Sequence, residues 1–99
     1  MGKISVIATI KVKDGRGDDI IAAFEKGAAL LHTEPGTEMY VLHRNSNDPN
    51  TFYVTELYTD QAALDAHQSG EVAKALGASL GDAIDSADLQ FATPVVGGS

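Results

Sequence analysis

The sequence predicts an α+β domain of the ferredoxin-like kind, with elements in the order β-α-β-β-α-β and a four-stranded antiparallel sheet carrying its helices on one face. Three observations predict it. Residues 3–13 alternate apolar and polar side chains at period 2. Residues 37–45 and 51–58 do the same on either side of a loop that contains Asp48-Pro49. Two stretches with helical periodicity, 17–33 and 61–80, are placed one between the first two strands and one after the third.

In the first strand Ile4, Val6, Ala8, Ile10 and Val12 share one face, while Ser5, Ile7, Thr9 and Lys11 share the other. Asp14-Gly15-Arg16-Gly17 reads as a turn. The first helix opens with Asp18 and Asp19, whose carboxylates complement the positive end of the helix dipole. Its apolar stripe is Ile20, Phe24, Ala28 and Leu31, and Pro35-Gly36 closes it. On the second strand Glu38, Tyr40, Leu42 and Arg44 alternate with Thr37, Met39, Val41 and His43, and the first set is expected to look toward the helices. On the third, Phe52, Val54, Glu56 and Tyr58 alternate with Tyr53, Thr55 and Leu57. Thr59 or Asp60 caps the following helix. That helix breaks at Ser69-Gly70 and resumes over 71–80, where Gly77 and Gly81 weaken its end. A last strand spans roughly 86–95, with Leu89, Phe91 and Thr93 on one face and Pro94 marking a terminal or edge position. Residues 1–96 read as one domain and 97–99 as a flexible tail.

The bulk properties narrow the partners. A chain of 99 residues buries only roughly 60–65% of its unfolded surface, so burial against a second copy adds to its stability. The net charge is −7, and the seven Lys and Arg residues are scattered, which argues against nucleic acid and anionic membranes. There is no cysteine, hence no disulfide and no thiolate chemistry. The amino-terminal residues lack the apolar core of a signal peptide, and Val6 stands where a myristoylation pattern needs Ser or Thr. No apolar run reaches the length of a membrane span, and a cytoplasmic location is the expectation. The sheet face that carries Ile7, Met39, Val41, Tyr53 and Leu57 is too apolar for water, which predicts a homodimer with two sheets packed face to face.

One conjunction of residues is more specific. The Ile4 to Ile10 strand, Glu34-Pro35-Gly36, Tyr40, Leu42, Asn47-Asp48-Pro49, Phe52, Glu56, Tyr58 and Ala63-Leu64-Asp65-Ala66-His67 occur in this order and spacing. Together they resemble the antibiotic biosynthesis monooxygenase family over essentially the whole chain. The resemblance implies a dimeric α/β barrel that binds flat aromatic substrates between sheet and helices. Some members oxidise quinols or polyketide phenols with O₂ and no cofactor. The haem-degrading branch uses an Asn, a Trp and a His at places that correspond approximately to Ala8, His67 and Gly77, and this chain has no Trp. It is most similar to the quinol-monooxygenase-like branch, which shares the His at His67; a second His five residues on is replaced by Val72.

The resemblance and the residue chemistry together point to a cofactor-independent monooxygenase-like protein acting on a quinol or polyketide-type phenol. Histidine changes charge near neutral pH, which suits His67 to take a proton from a phenolic hydroxyl. The alternative is a helix-terminal histidine that caps carbonyls or packs on the sheet. Glu56 supports His67 or acts as base itself, or makes a structural bond to Arg44 or a backbone amide. Tyr40 and Tyr58 line the pocket or are simply core. Arg44 holds a substrate oxyanion, or pairs with Glu56 or Glu38. No two histidines have close ligand spacing and no acidic cluster accompanies them in sequence, so no metal site is expected. The rival reading is a non-catalytic ligand-binding or stress-associated barrel protein, because a fold does not determine a function.

Overall fold

Residues 2–97 are described in the computed structural model, together with every side chain among them except that of Ser79. The tail expected at 97–99 therefore lies, for its last two residues, outside the described residues.

Strand β1 (Ile4–Val12) leads through a turn to helix α1 (Gly17–Ala28), and a single 3-10 turn follows at Leu31–Thr33. Strands β2 (Thr37–Arg44) and β3 (Thr51–Tyr58) form a hairpin. Helices α2 (Gln61–Ser69) and α3 (Glu71–Leu80) come next, and β4 (Ile84–Ala92) ends the chain of elements. The strands lie in the order β2-β3-β1-β4, every neighbouring pair antiparallel. This is the ferredoxin-like arrangement, with the last helical segment split in two.

The alternation in β1 settles which face is buried. Val6, Ala8, Ile10 and Val12 are buried, and Ile7 between them is not. Register then carries the pattern across the sheet, since Val6, Ala8 and Ile10 stand opposite Glu56, Val54 and Phe52. Ile20, Ala23 and Phe24 of α1 and Val72 and Leu76 of α3 cover this face and complete the main core. A smaller cluster of Val6, Tyr58 and Leu64 lies beneath α2. Each of the larger apolar side chains contributes about 1.5–3 kcal/mol on burial.

Four expectations need correction. The first helix ends at Ala28, short of residue 33. The chain turns there because Leu30 and Leu31 fold back on the core, and Glu34 accepts the turn by donating its N–H to Leu31 O at 2.9 Å. The last strand runs earlier than 86–95, because its ladder to β1 includes Ile84 and closes at Ala92. Thr93 and Pro94 lie beyond it. Glu38 does not look toward the helices. The register slips between Thr37 and Met39, which places one extra residue in β2, and Glu38 turns to Lys3 and Thr59 instead. Arg44 pairs with neither Glu56 nor Glu38; its guanidinium lies 3.7 Å from Asp18 and over the Phe52 ring.

Among the described residues no helix is long and apolar enough to cross a membrane. On the open sheet face Ile7, Met39 and Val41 are 48%, 41% and 40% exposed, beside the half-buried Tyr53 and Leu57.

Candidate functional site

Helix α2 delivers the central residue. Asp60 caps it, its Oδ1 accepting the Ala63 N–H at 2.9 Å, as the sequence predicts. Leu64 and His67 are three residues apart and share one face. Leu64 packs on Val6 and Tyr58, and this burial rotates His67 inward with it, to 7% exposure. The helix approaches closely because Gly36 faces Ala63, where a Cβ on Gly36 would overlap the alanine methyl. Gly70 then ends α2, its N–H donating to His67 O at 3.3 Å.

Two carboxylates flank the imidazole. Nδ1 of His67 lies 2.7 Å from Oε1 of Glu34, and Nε2 lies 4.0 Å from Oε1 of Glu56. Both glutamates are buried. The Tyr58 hydroxyl donates to the same Glu56 oxygen. Thr37 Oγ1 donates to Glu34 Oε1 at 2.9 Å. The rings of Tyr40 and Tyr58 stand 5.0 and 5.2 Å from the imidazole, centroid to centroid, and Phe24 stacks on Tyr40 at 5.7 Å.

The electrostatics follow from burial. Desolvation pushes the Glu56 carboxyl above the ordinary carboxylate range, with the Tyr58 hydroxyl and His67 opposing that rise. Tyr40 and Tyr58 are pushed well above the ordinary phenol, first by desolvation and then, for Tyr58, by its bond to Glu56. Both phenols therefore stay protonated at neutral pH.

His67, Glu56 and Tyr40 line a cavity of about 280 Å³, closed on other sides by Val6, Leu64 and Leu76 and by Leu89 and Phe91 of β4. Leu89 and Phe91 are 49% and 57% exposed at its rim. Tyr40 also lines a second cavity of about 390 Å³ between α1 and β2, and Arg44 stands on that wall with Phe24, Leu42 and Phe52. Of the five residues singled out from the sequence, His67, Glu56 and Tyr40 line one cavity and Arg44 belongs to the adjoining one; Tyr58, expected to line the pocket, is instead fully buried in the core behind Glu56. The other histidines stand apart. His32 Nδ1 bonds Ala29 O at 3.1 Å and tethers the end of the first helix, and His43 bonds Thr55 Oγ1 at 3.0 Å on the open face. Among the described residues no three His, Asp or Glu side chains are grouped as a metal site.

Nothing in the sequence points to Glu34 for chemistry, and the expected lack of acidic groups around the histidines does not hold for His67. The Glu34 carboxylate reaches His67 from 33 residues away. The one local signal is that Pro35 forbids a helical conformation at Glu34, which adopts φ −126°, ψ 78° and so turns out of the preceding helical segment.

The comparisons with known proteins bear on the family and the fold. The family model for antibiotic biosynthesis monooxygenases matches residues 3–78. No curated protein sequence matches the chain. Among solved structures, a Caulobacter crescentus CB15 protein described as a candidate antibiotic biosynthesis monooxygenase is 30% identical. It superimposes with a TM-score of 0.87 over 96% of this chain and 92% of its own. A Pseudomonas aeruginosa structure has a TM-score of 0.86 at 23% identity, over 97% of each chain. One from Bacteroides thetaiotaomicron has 0.88 at 21%, over 99% of this chain and 94% of that one. These last two speak for the fold alone. With the family model covering most of its length, this monooxygenase-like chain belongs to the antibiotic biosynthesis monooxygenase family.

Proposed function

We propose that this chain is a cofactor-independent monooxygenase that oxidises a quinol or a polyketide-type phenol with O₂. One observation carries the reading: a buried imidazole stands between two buried carboxylates on the wall of an aromatic-lined cavity. That is the equipment for taking a proton from a phenol with a base that is itself largely shielded from water. His67 takes the hydroxyl proton. The aryloxide passes an electron to O₂, and the two radicals join at a CH carbon of the ring as a peroxide anion. The distal oxygen leaves as water with the hydrogen remaining on that carbon and the proton held by His67. The carbon keeps the other oxygen as a carbonyl, and no further reductant is consumed.

In this reading Glu56 supports the charge on His67 and Tyr40 packs against the substrate ring, while the buried Tyr58 holds the Glu56 carboxylate from behind. The cavity beside His67 is near the lower limit of ligand pockets, roughly 300–1,000 Å³. A larger substrate extends past Tyr40 toward Arg44. The exposed rim of Leu89 and Phe91 gains burial when an aromatic ligand enters. We also propose that the open sheet face pairs two copies into a homodimer, since Ile7, Met39 and Val41 form one exposed apolar patch.

Oxygen uptake with quinols and anthrone-type phenols, measured with a metal chelator present, tests the chemistry. Turnover that survives chelation and collapses in His67→Ala supports it. Saturable binding of these aromatics with no oxygen uptake for any of them replaces it with a ligand-binding function.

A further inference from the structure

Glu34 is buried and touches the proposed base, and no step of the scheme above assigns it a role. We propose that Glu34 is a positioning residue that holds neutral His67 as the Nδ1–H tautomer, so that the Nε2 lone pair faces Glu56 and the cavity. The inference deepens the monooxygenase reading and rests on it for its catalytic meaning.

The hydrogen bonds carry the argument. At 2.7 Å, Nδ1 and Oε1 must share a proton, because two bare acceptors at that distance repel. Oε1 already receives the hydrogen of Thr37 Oγ1. An imidazole nitrogen is ordinarily the stronger base of the pair. The shared proton therefore resides on Nδ1, and a histidine with that proton is left with an unprotonated Nε2 when neutral. Nε2 is 4.0 Å from Glu56 Oε1, beyond hydrogen-bond reach, and that oxygen already takes the Tyr58 hydroxyl.

Glu34 is itself held in place. Its N–H donates to Leu31 O at 2.9 Å, and its carbonyl accepts the Thr37 N–H at 3.0 Å. Its Oε2 is the one buried side-chain polar atom among the described residues without a hydrogen-bond partner. That oxygen lies beside Gly70 at the amino end of α3, where the helix dipole favours negative charge, and a Cβ on Gly70 would approach it to 3.2 Å. When Nε2 takes a proton, the cation meets Glu34 on one side and Glu56 on the other. The other groups beside the ring are the aromatic rings of Tyr40 and Tyr58, and the rest of the cavity wall is uncharged, with Gln68 from α2, Ala73 and Leu76 from α3, and Leu89 and Phe91 from β4.

The test is the imidazole ¹⁵N spectrum of a His32→Asn/His43→Asn protein, which leaves His67 as the sole histidine and changes only exposed positions. The neutral ring is expected to show a protonated Nδ1 and a bare Nε2. A predominantly Nε2–H ring overturns the proposal. In the same background Glu34→Leu should abolish the Nδ1–H preference. Glu34→Asp, which keeps the charge and shortens the reach by one methylene, should weaken it without endangering the fold. A tautomer ratio unchanged in both variants would show that Glu34 is not its cause. No substrate is needed, so absent oxygen uptake sinks the monooxygenase reading alone, and a wrong tautomer sinks this one alone.

Discussion

Gly36 packs directly against Ala63, so closely that a Cβ on the glycine would overlap the alanine methyl. This contact brings α2 down onto the turn that carries Glu34, and Thr59 N–H reinforces it by donating to Gly36 O at 3.0 Å. Gly36→Ala should therefore push α2 outward and cost about 1–3 kcal/mol, the usual penalty for overpacking. Urea denaturation measures it. A loss under about 0.5 kcal/mol, the scale of an ordinary surface substitution, would show that the helix shifts freely.

Burial raises the Glu56 carboxyl above its ordinary value of 4.5. The folded protein thus holds a proton there that the unfolded chain has already lost, and stability falls as pH rises from about 4.5 to the raised folded value. Glu56→Gln cannot ionise. Its melting temperature should therefore gain on that of the parent as pH climbs through this window. Parallel curves from pH 4 to 8 would contradict the assignment.

Tyr58 restrains that rise by donating to Glu56. Tyr58→Phe removes the donor, so the Glu56 pKa should move higher and the decline in stability should extend to higher pH. The orphaned carboxylate oxygen adds a cost of about 1–3 kcal/mol at neutral pH. Thermal melts across the same pH series report both effects.

Phe52 is fully buried beneath α1 and α3 and carries the Arg44 guanidinium 4.9 Å above its ring. Phe52→Ala should cost about 3–5 kcal/mol, a large share of the stability of a small domain. Chemical denaturation with an unchanged slope would identify it as a plain loss of core.

The proposed dimer predicts a concentration-dependent mass for the parent and a monomer for Ile7→Asp, because a charge at that position cannot be desolvated against an apolar face. Sedimentation equilibrium decides, and a parent that stays monomeric at high concentration removes the dimer.

Much of the fold was legible in the sequence because its signals are local. Period-2 alternation assigned the faces of β1 and β3, and Asp60 and Gly70 marked the limits of α2. Where the reading erred, a contact distant in sequence had decided. The first helix ends early because Leu30 and Leu31 find the core, and no residue at 28–29 announces a stop. Glu38 leaves its predicted face because of a bulge, which depends on how β2 registers against β3.

The site divides in the same way. The sequence by itself determined that His67, Glu56, Tyr58 and Tyr40 are available, on elements whose type and order follow from periodicity and capping. Whether His67 faces inward was open in the sequence, because it depends on how α2 is rotated, and the burial of Leu64 against Val6 and Tyr58 decides it. Only the tertiary structure decided that Glu34 completes the group and that Arg44 stands in the adjoining cavity. The reason is physical. Periodicity reports which side of an element faces the core, whereas the 2.7 Å contact between His67 and Glu34 depends on how closely two elements approach, and that is set by packing at Gly36 and Gly70.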